Sequence, residues 1–323
     1  MDKKGLTIVA AAVVLLSGCA RNTVRKPLTR SAVALDTAIT LSIYDTMADT
    51  SVLDRCMEKI EQYEALFSRT IPDSDVSRIN AAGGQWVTVS EDTRVLIELA
   101  LNICRESGGA FDITVEPLAS LWDFTGEDPH RPDKTALAEA LRHVGYDKIE
   151  VQGNRVRLTD PQAGIDLGGV AKGYIADRLG DYLAEQQIQG ALLNLGGNVL
   201  AMGDKWGEDF QIGIRAPDNA SALADTMAVR DRSVVTSGSY ERGFEEDGVW
   251  YHHILDPTTG YPVKNGLAAV TILSEESVTG DMLSTTCFVM GEEKGLSWIE
   301  QLDGVEALFI REDGTKIASS GFY

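Results

Sequence analysis

An apolar run, Ala163 to Leu167, feeds into the string Asp166 to Tyr174, D-L-G-G-V-A-K-G-Y, and few other stretches leave the backbone so little choice. The run is short and bounded like a buried strand, and the residues after the glycines keep helical spacing to about Gln187. Gly168 and Gly169 turn the chain between the two, and Lys172 stands in the first turn of the helix. Glycines allow close approach of backbone to a ligand, and a helix N-terminus offers unpaired N–H groups. Asp166 and Lys172 add both signs of charge, which suits a phosphate carrying a metal ion. A tight strand-to-helix turn with a surface lysine fits the same residues.

The rest of the chain interleaves helices and strands. Ala32 to Tyr44 alternates as a strand, and Ala48 to Phe67 repeats apolar residues at helical spacing. Ser68 to Gln85 is polar and reads as a loop. Ser90 caps a second helix that reaches Cys104 and stops at Gly108-Gly109; Asp133 to Val144 is a third. Lys148–Val151 and Arg155–Leu158 form a hairpin, Ala191 to Leu195 is a buried strand, and several strands follow up to Leu273. Helices Val278–Met290 and Glu292–Leu302 and two closing strands complete the chain. Hairpins outnumber β-α-β crossovers, so the expected class is α+β, with mixed, largely antiparallel sheets and flanking helices rather than a doubly wound parallel sheet.

The N-terminus is a separate matter. Lys3 and Lys4 precede an apolar run from Leu6 to Leu16, then Ser17, Gly18 and Cys19. That run is too short to span a bilayer and matches a secretory signal over residues 1–18. Its ending, L-S-G-C, resembles the lipobox of bacterial lipoproteins, which implies lipidation at Cys19. Residues 19–30, with Arg21, Arg25, Lys26 and Arg30, read as a tether beside anionic lipid or an inert linker, and 31–323 as one domain. The expected location is the cell envelope, lipid-anchored and facing the periplasm, with the inner membrane favoured over the outer.

Formal charge is −20, and removing residues 1–18, whose Asp2, Lys3 and Lys4 sum to +1, leaves −21. So acidic a body excludes a nucleic-acid field. Cys56, Cys104 and Cys287 lie among apolar neighbours and read as core residues.

Polar or glycine-rich strings recur where apolar elements end: Gly109–Leu118, Asp166–Tyr174, Asn194–Asn198, Thr236–Arg242, His252–Pro262 and Gly280–Thr286. Asp281 and Thr285 are four apart in a helical pattern, so their oxygens share one face. With backbone carbonyls from a facing loop they make an all-oxygen site suited to Mg²⁺; an aspartate favouring the helix dipole and a threonine bonded to its own backbone fit as well. His252 and His253, if on a strand, face opposite ways, so one at most serves a given pocket. Phe111, Trp122, Tyr240 and Tyr261 are the aromatics able to stack on a flat ring.

In order, A-L-F-S, S-R-I-N, G-A-F-D-I-T-V-E-P-L, D-L-G-G-V-A-K-G-Y, N-L-G-G-N, T-S-G-S-Y-E-R, H-H-I-L-D-P-T-T-G-Y-P and G-D-M-L-S-T-T-C-F-V-M-G resemble the motifs of the ApbE family of FAD:protein FMN transferases. The resemblance runs through nearly the whole chain after the signal. It implies an active site in a cleft between two lobes, with FAD as substrate and Mg²⁺ at the pyrophosphate. By motif, the metal ligands are the Gly169 carbonyl, Asp281 and Thr285. The flavin-nucleotide contacts are Ala110, Phe111, Asp112, Asp166, Lys172, Tyr240 and His253, and His253 and Asp281 are the catalytic pair. The implied reaction links FMN through a phosphoester to a threonine or serine of an exported acceptor, with AMP leaving. Implied acceptors are subunits of ion-pumping NADH:quinone or ferredoxin-linked reductases and other exported flavoproteins. Two positions depart from the pattern. The first motif, commonly Met-Gly-Thr, reads Leu35-Asp36-Thr37, and Lys172 stands where some relatives are acidic. Hydrolysis of FAD to FMN and AMP, or flavin binding without turnover, would use much of the same site.

Overall fold

A computed structural model describes residues 25–323 apart from 125, 127, 128 and 218. The expected signal, Cys19 and the first part of the tether lie outside the described residues. Strands β1 (Leu28–Ala34) and β2 (Thr37–Ile43) open the described chain. A helical region follows: α1 (Thr50–Phe67), α2 (Asp75–Asn80), β3 (Val87–Thr88), α3 (Glu91–Glu106), α4 (Glu116–Trp122), α5 (Lys134–Leu141), β4 (Ile149–Gln152), β5 (Arg155–Leu158) and α6 (Ala171–Glu185). Strands then dominate: β6 (Gly190–Leu195), β7 (Asn198–Gly203), β8 (Phe210–Ala216), β9 (Asn219–Val229), β10 (Arg232–Gly238), β11 (Gly243–Glu246), β12 (Val249–His252) and β13 (Leu267–Ser274). Helices α7 (Ser277–Met290) and α8 (Glu292–Ile299) and strands β14 (Glu306–Arg311) and β15 (Lys316–Ala318) finish it.

One sheet of eight strands, ordered β1-β2-β6-β7-β10-β13-β14-β15, organises the molecule, and every ladder in it is antiparallel. The α+β class with antiparallel sheets is thus the observed one. Strand β13 is buried at every residue because both its faces are covered. Ala269 and Leu273 pack with Phe210, Ile212 and Ile214 of β8. Val270 and Ile272 pack on the other face with Leu283, Cys287 and Phe288 of α7. All three described cysteines are buried and free, as small core residues are.

Three sequence expectations change, each for a local reason. Ala32 to Tyr44 is a hairpin rather than one strand. Leu35 (φ 53°) and Asp36 (φ 54°) form a two-residue turn with both φ positive, whose twist matches that of the strands it joins. The polar loop Ser68–Gln85 hides α2, which is capped by Ser74 Oγ accepting from Ser77 N at 2.9 Å. Ala163 to Leu167, expected as a strand, forms none and joins no sheet. The Asn80 side chain takes the place of a partner strand, accepting from Ile165 N at 2.7 Å and donating to Ile165 O at 2.9 Å. Asp166 N adds a bond to Ile113 O at 2.8 Å. Among the described residues, no helix is long and apolar enough to cross a membrane.

Candidate active site

Turns and helix starts gather at one end of the large sheet around a cavity of about 940 Å³. Residues 67–70, 110–113, 212–215, 240–242 and 253–255 are among those that line it. The β1–β2 turn and the β6–β7 turn border it side by side, since β2 pairs with β6. Gly196 and Gly197 (φ 63° and 89°) make the second turn, and a Cβ on Gly196 would collide with the Thr37 side chain. Ten positions expected from the sequence all line this one cavity: Ala110, Phe111, Asp112, Asp166, Gly169, Lys172, Tyr240, His253, Asp281 and Thr285.

Asp281 and Thr285 project from α7 toward the start of α6. The helices touch because residue 173 is glycine: a Cβ there would strike the Ser277 carbonyl and lie 2.6 Å from Val278 Cα. Asp281 Oδ2 accepts from Gly173 N at 2.8 Å, while Oδ1 stands 3.9 Å from Lys172 Nζ. The Lys172 ammonium also donates to Gly168 O at 3.1 Å. Thr285 Oγ1 lies 3.1 Å from Ser237 Oγ, and a Cβ built on Gly169 would sit 3.8 Å from the same Oγ1. Carboxylate, hydroxyl and backbone carbonyl are hard oxygen donors, and one carboxylate oxygen is left without a protein hydrogen bond. That set fits Mg²⁺, which keeps several waters and takes phosphate oxygens rather than demanding a full protein cage. Among the described residues no group of three or more His, Cys, Asp or Glu is placed to hold a metal ion, so any ion here would take its protein ligands from this mixed oxygen set.

Asp112 and Asp166, by contrast, are committed to the protein itself. Asp112 Oδ1 accepts from Thr114 N (2.8 Å) and Thr114 Oγ1 (2.6 Å), and Oδ2 from Tyr146 N (2.9 Å). Burial pushes its carboxyl above the usual range. Asp112 therefore ties the 110–113 segment to Thr114 and Tyr146. Asp166 Oδ1 accepts from Gly168 N at 2.7 Å, which sets the glycine turn, and Oδ2 pairs with Arg69 Nε at 3.2 Å. Arg69 also lines the cavity and reaches Ser120 Oγ at 3.3 Å. Sequence reading passed over it, although it directly follows A-L-F-S.

The two histidines do face opposite ways. His252 donates from Nε2 to Val263 O at 2.9 Å, accepts at Nδ1 from Ile254 N at 3.3 Å, and meets the Phe288 ring edge-on. It is a satisfied core residue. His253 turns to the cavity with Nδ1 3.2 Å from Arg242 O. A carbonyl only accepts, so Nδ1 carries the proton and Nε2 keeps the lone pair. Burial, then the Arg242 guanidinium, hold the ring's pKa down to about 3. Arg242 in turn donates to Asp36 O at 2.9 Å, tying the first turn to this wall.

Glu241 and Arg215 are further cavity groups that T-S-G-S-Y-E-R and β8 supply and the sequence reading did not name as site residues. They stand 3.6 Å apart, and burial raises the Glu241 carboxyl above its ordinary range. Arg215 also lies over the Tyr240 ring, 5.0 Å from its centroid. Of the four aromatics able to stack on a flat ring, Phe111 and Tyr240 reach the cavity. Trp122 is fully buried, donating to Gly260 O at 2.8 Å, and Tyr261 packs against it.

The family model for the ApbE family matches residues 35–309. An FAD:protein FMN transferase of Klebsiella pneumoniae (strain 342) is 38% identical over 294 residues, covering 90% of this chain and 91% of its own. One of Treponema pallidum (strain Nichols) is 36% identical over 289 residues, covering 84% and 80%. Among solved structures, the ApbE protein of Thermotoga maritima superposes with a TM-score of 0.86 at 35% identity, covering 92% of this chain and 98% of that one. The flavin transferase ApbE of Vibrio cholerae gives 0.83 at 29% identity, covering 92% and 98%. With motif order, cavity and whole-chain similarity in agreement, the chain belongs to the ApbE family.

Proposed function

We propose that the protein transfers FMN from FAD to a threonine or serine hydroxyl of an acceptor flavoprotein, releasing AMP, with Mg²⁺ at the pyrophosphate. One observation carries this reading: all ten motif-derived positions line a single cavity, beside a carboxylate oxygen, Asp281 Oδ1, that takes no protein hydrogen bond and stands 3.9 Å from Lys172 Nζ. Asp281, Thr285 and the Gly169 carbonyl would hold the ion, which would neutralise phosphate charge and orient the reacting phosphorus.

Lys172 contributes a fixed positive charge beside the same place, and positioning with charge neutralisation is most of what phosphoryl transfer needs. His253 is neutral in the free enzyme and offers Nε2 to the cavity. An incoming pyrophosphate anion offsets the field of Arg242 and raises the ring's basicity. The acceptor hydroxyl oxygen then bonds the FMN-side phosphorus and passes its proton to His253 Nε2. The P–O bond to the bridging oxygen breaks, and AMP departs with the bonding electrons. Arg242, whose carbonyl accepts a hydrogen bond from Nδ1–H, holds the ring in the tautomer that can do this.

The fitting acceptors are exported flavoproteins, including subunits of ion-pumping redox complexes, and the fitting location is the periplasmic face of the envelope through lipid at Cys19. Support for both is the N-terminal string L-S-G-C with its basic, apolar lead. Mixing the protein with FAD, Mg²⁺ and an authentic acceptor domain is expected to raise the acceptor's mass by one FMN. An unchanged acceptor mass overturns the transferase reading, and AMP released equally with and without acceptor would identify a hydrolase instead.

A further inference from the structure

Asp177 sits on α6, four residues after Gly173, and does not line the cavity. Its carboxylate crosses to α7: Oδ1 accepts from Ser277 N at 2.7 Å and Oδ2 from Val278 N at 2.8 Å. Those are orphan donors of a helix start, and Glu276, at the N-cap of α7, makes no side-chain cap bond. The cap is borrowed from a neighbouring helix.

Asp281 returns the bond one turn along, accepting at Oδ2 from Gly173 N. Residues 173 and 177 share one face of α6, and 277 and 281 one face of α7. The two carboxylates therefore form a reciprocal pair of contacts along one seam, which Gly173 closes too tightly for sliding. Ser277 is held a second time from β7, its Oγ donating to Asn198 Oδ1 at 2.6 Å.

We propose that Asp177 is a positioning residue: by clamping the start of α7 it fixes where Asp281 presents Oδ1 to the cavity. The inference rests on the metal reading given above for Asp281. A group that orients a ligating side chain without touching the ion affects ion affinity more than it affects the rest of the ligand.

The test uses the full chain loaded with FAD, with Mn²⁺ as the probe followed by loss of its free electron paramagnetic resonance signal. FAD affinity in chelator is followed separately by flavin fluorescence. Asp177→Asn is expected to weaken Mn²⁺ binding about tenfold while FAD affinity without metal changes less than about twofold. Asp75→Asn serves as control, since Asp75 is a buried carboxylate that accepts from Ser90 N at 2.8 Å and Thr93 Oγ1 at 2.7 Å away from the cavity. Its Mn²⁺ affinity should stay at the wild-type value even if it melts earlier. Wild-type Mn²⁺ affinity in Asp177→Asn, or an equal loss in Asp75→Asn, overturns the inference. If Asp177→Asn does not fold, Asp177→Glu carries the test, with weakened Mn²⁺ binding in support and wild-type binding against. Asp281→Asn separates the two layers: if it binds Mn²⁺ as the wild type does, the metal reading fails and this inference with it.

Discussion

At the scale of single residues, the site turns on which atoms the fold leaves uncommitted. Asp281 has one oxygen on Gly173 N and one facing Lys172. Asparagine there keeps an acceptor for the Gly173 N–H and removes the charge. Asp281→Asn is expected to lower turnover by about a thousandfold, the several kcal/mol that a divalent ion supplies, with an unchanged circular dichroism spectrum. His253 gives a stability signature independent of chemistry. Its folded pKa of about 3 lies far below the ordinary value, so between there and roughly 6.5 the unfolded chain binds the extra proton. Stability contributed at neutral pH is therefore lost as pH falls below about 6.5, by up to about 1 kcal/mol per pH unit. Urea titrations of His253→Asn should show a shallower decline than the wild type over that window. Asp36 offers a third case. It sits at φ 54° where the family commonly has glycine, so the family's residue is explained by backbone conformation. Asp36→Gly is expected to stabilise the hairpin by roughly 0.5–1 kcal/mol, read as a higher melting temperature; a lower one would show that the side chain has a task of its own.

At the scale of elements, α6 and α7 make the site because they come within backbone contact. Gly173→Ala should push them apart and cost about 2 kcal/mol, an overpacking penalty visible as earlier thermal unfolding together with lost turnover. Much of this scale was legible in the sequence. Helices α1, α3, α6 and α7 follow from apolar spacing and from Ser90 and the glycines as stops. What was not legible has physical reasons. The β1–β2 turn lacks glycine or asparagine, so alternation runs across Leu35-Asp36 without a break. Helix α2 is six residues long, too short for a periodic signal, and shows only its Ser74 cap. The segment before Asp166 has strand composition but finds its hydrogen bonds in one asparagine side chain, a pairing that no local pattern announces. At the site, the positions quoted by motif line one cavity, but the internal commitments of Asp112 and Asp166 to Thr114, Tyr146 and Arg69 depend on tertiary contact.

At the scale of the whole molecule, FAD would touch parts far apart in sequence: the β1–β2 turn, the 110–113 wall, the α6 start, β8, β10 and α7 all border one cavity. A ligand bridging them stabilises the folded state as a unit. Saturating FAD with Mg²⁺, at a hundred times its dissociation constant, should add about 2.7 kcal/mol and move a single melting transition upward. Two separated transitions with only one shifted would refute that coupling.

The pairing of β2 with β6 also gives the molecule a history. Ile43 cannot pair with Ala191 until residues 44–189 have been made and gathered, because the sheet closes across that whole insertion. Local helices can form in microseconds, whereas long-range antiparallel pairing is slow. The cavity, bordered by turns from both sides of that closure, is therefore among the last features to exist during folding. A chain interrupted anywhere before β6 can have helices but no place for a flavin nucleotide.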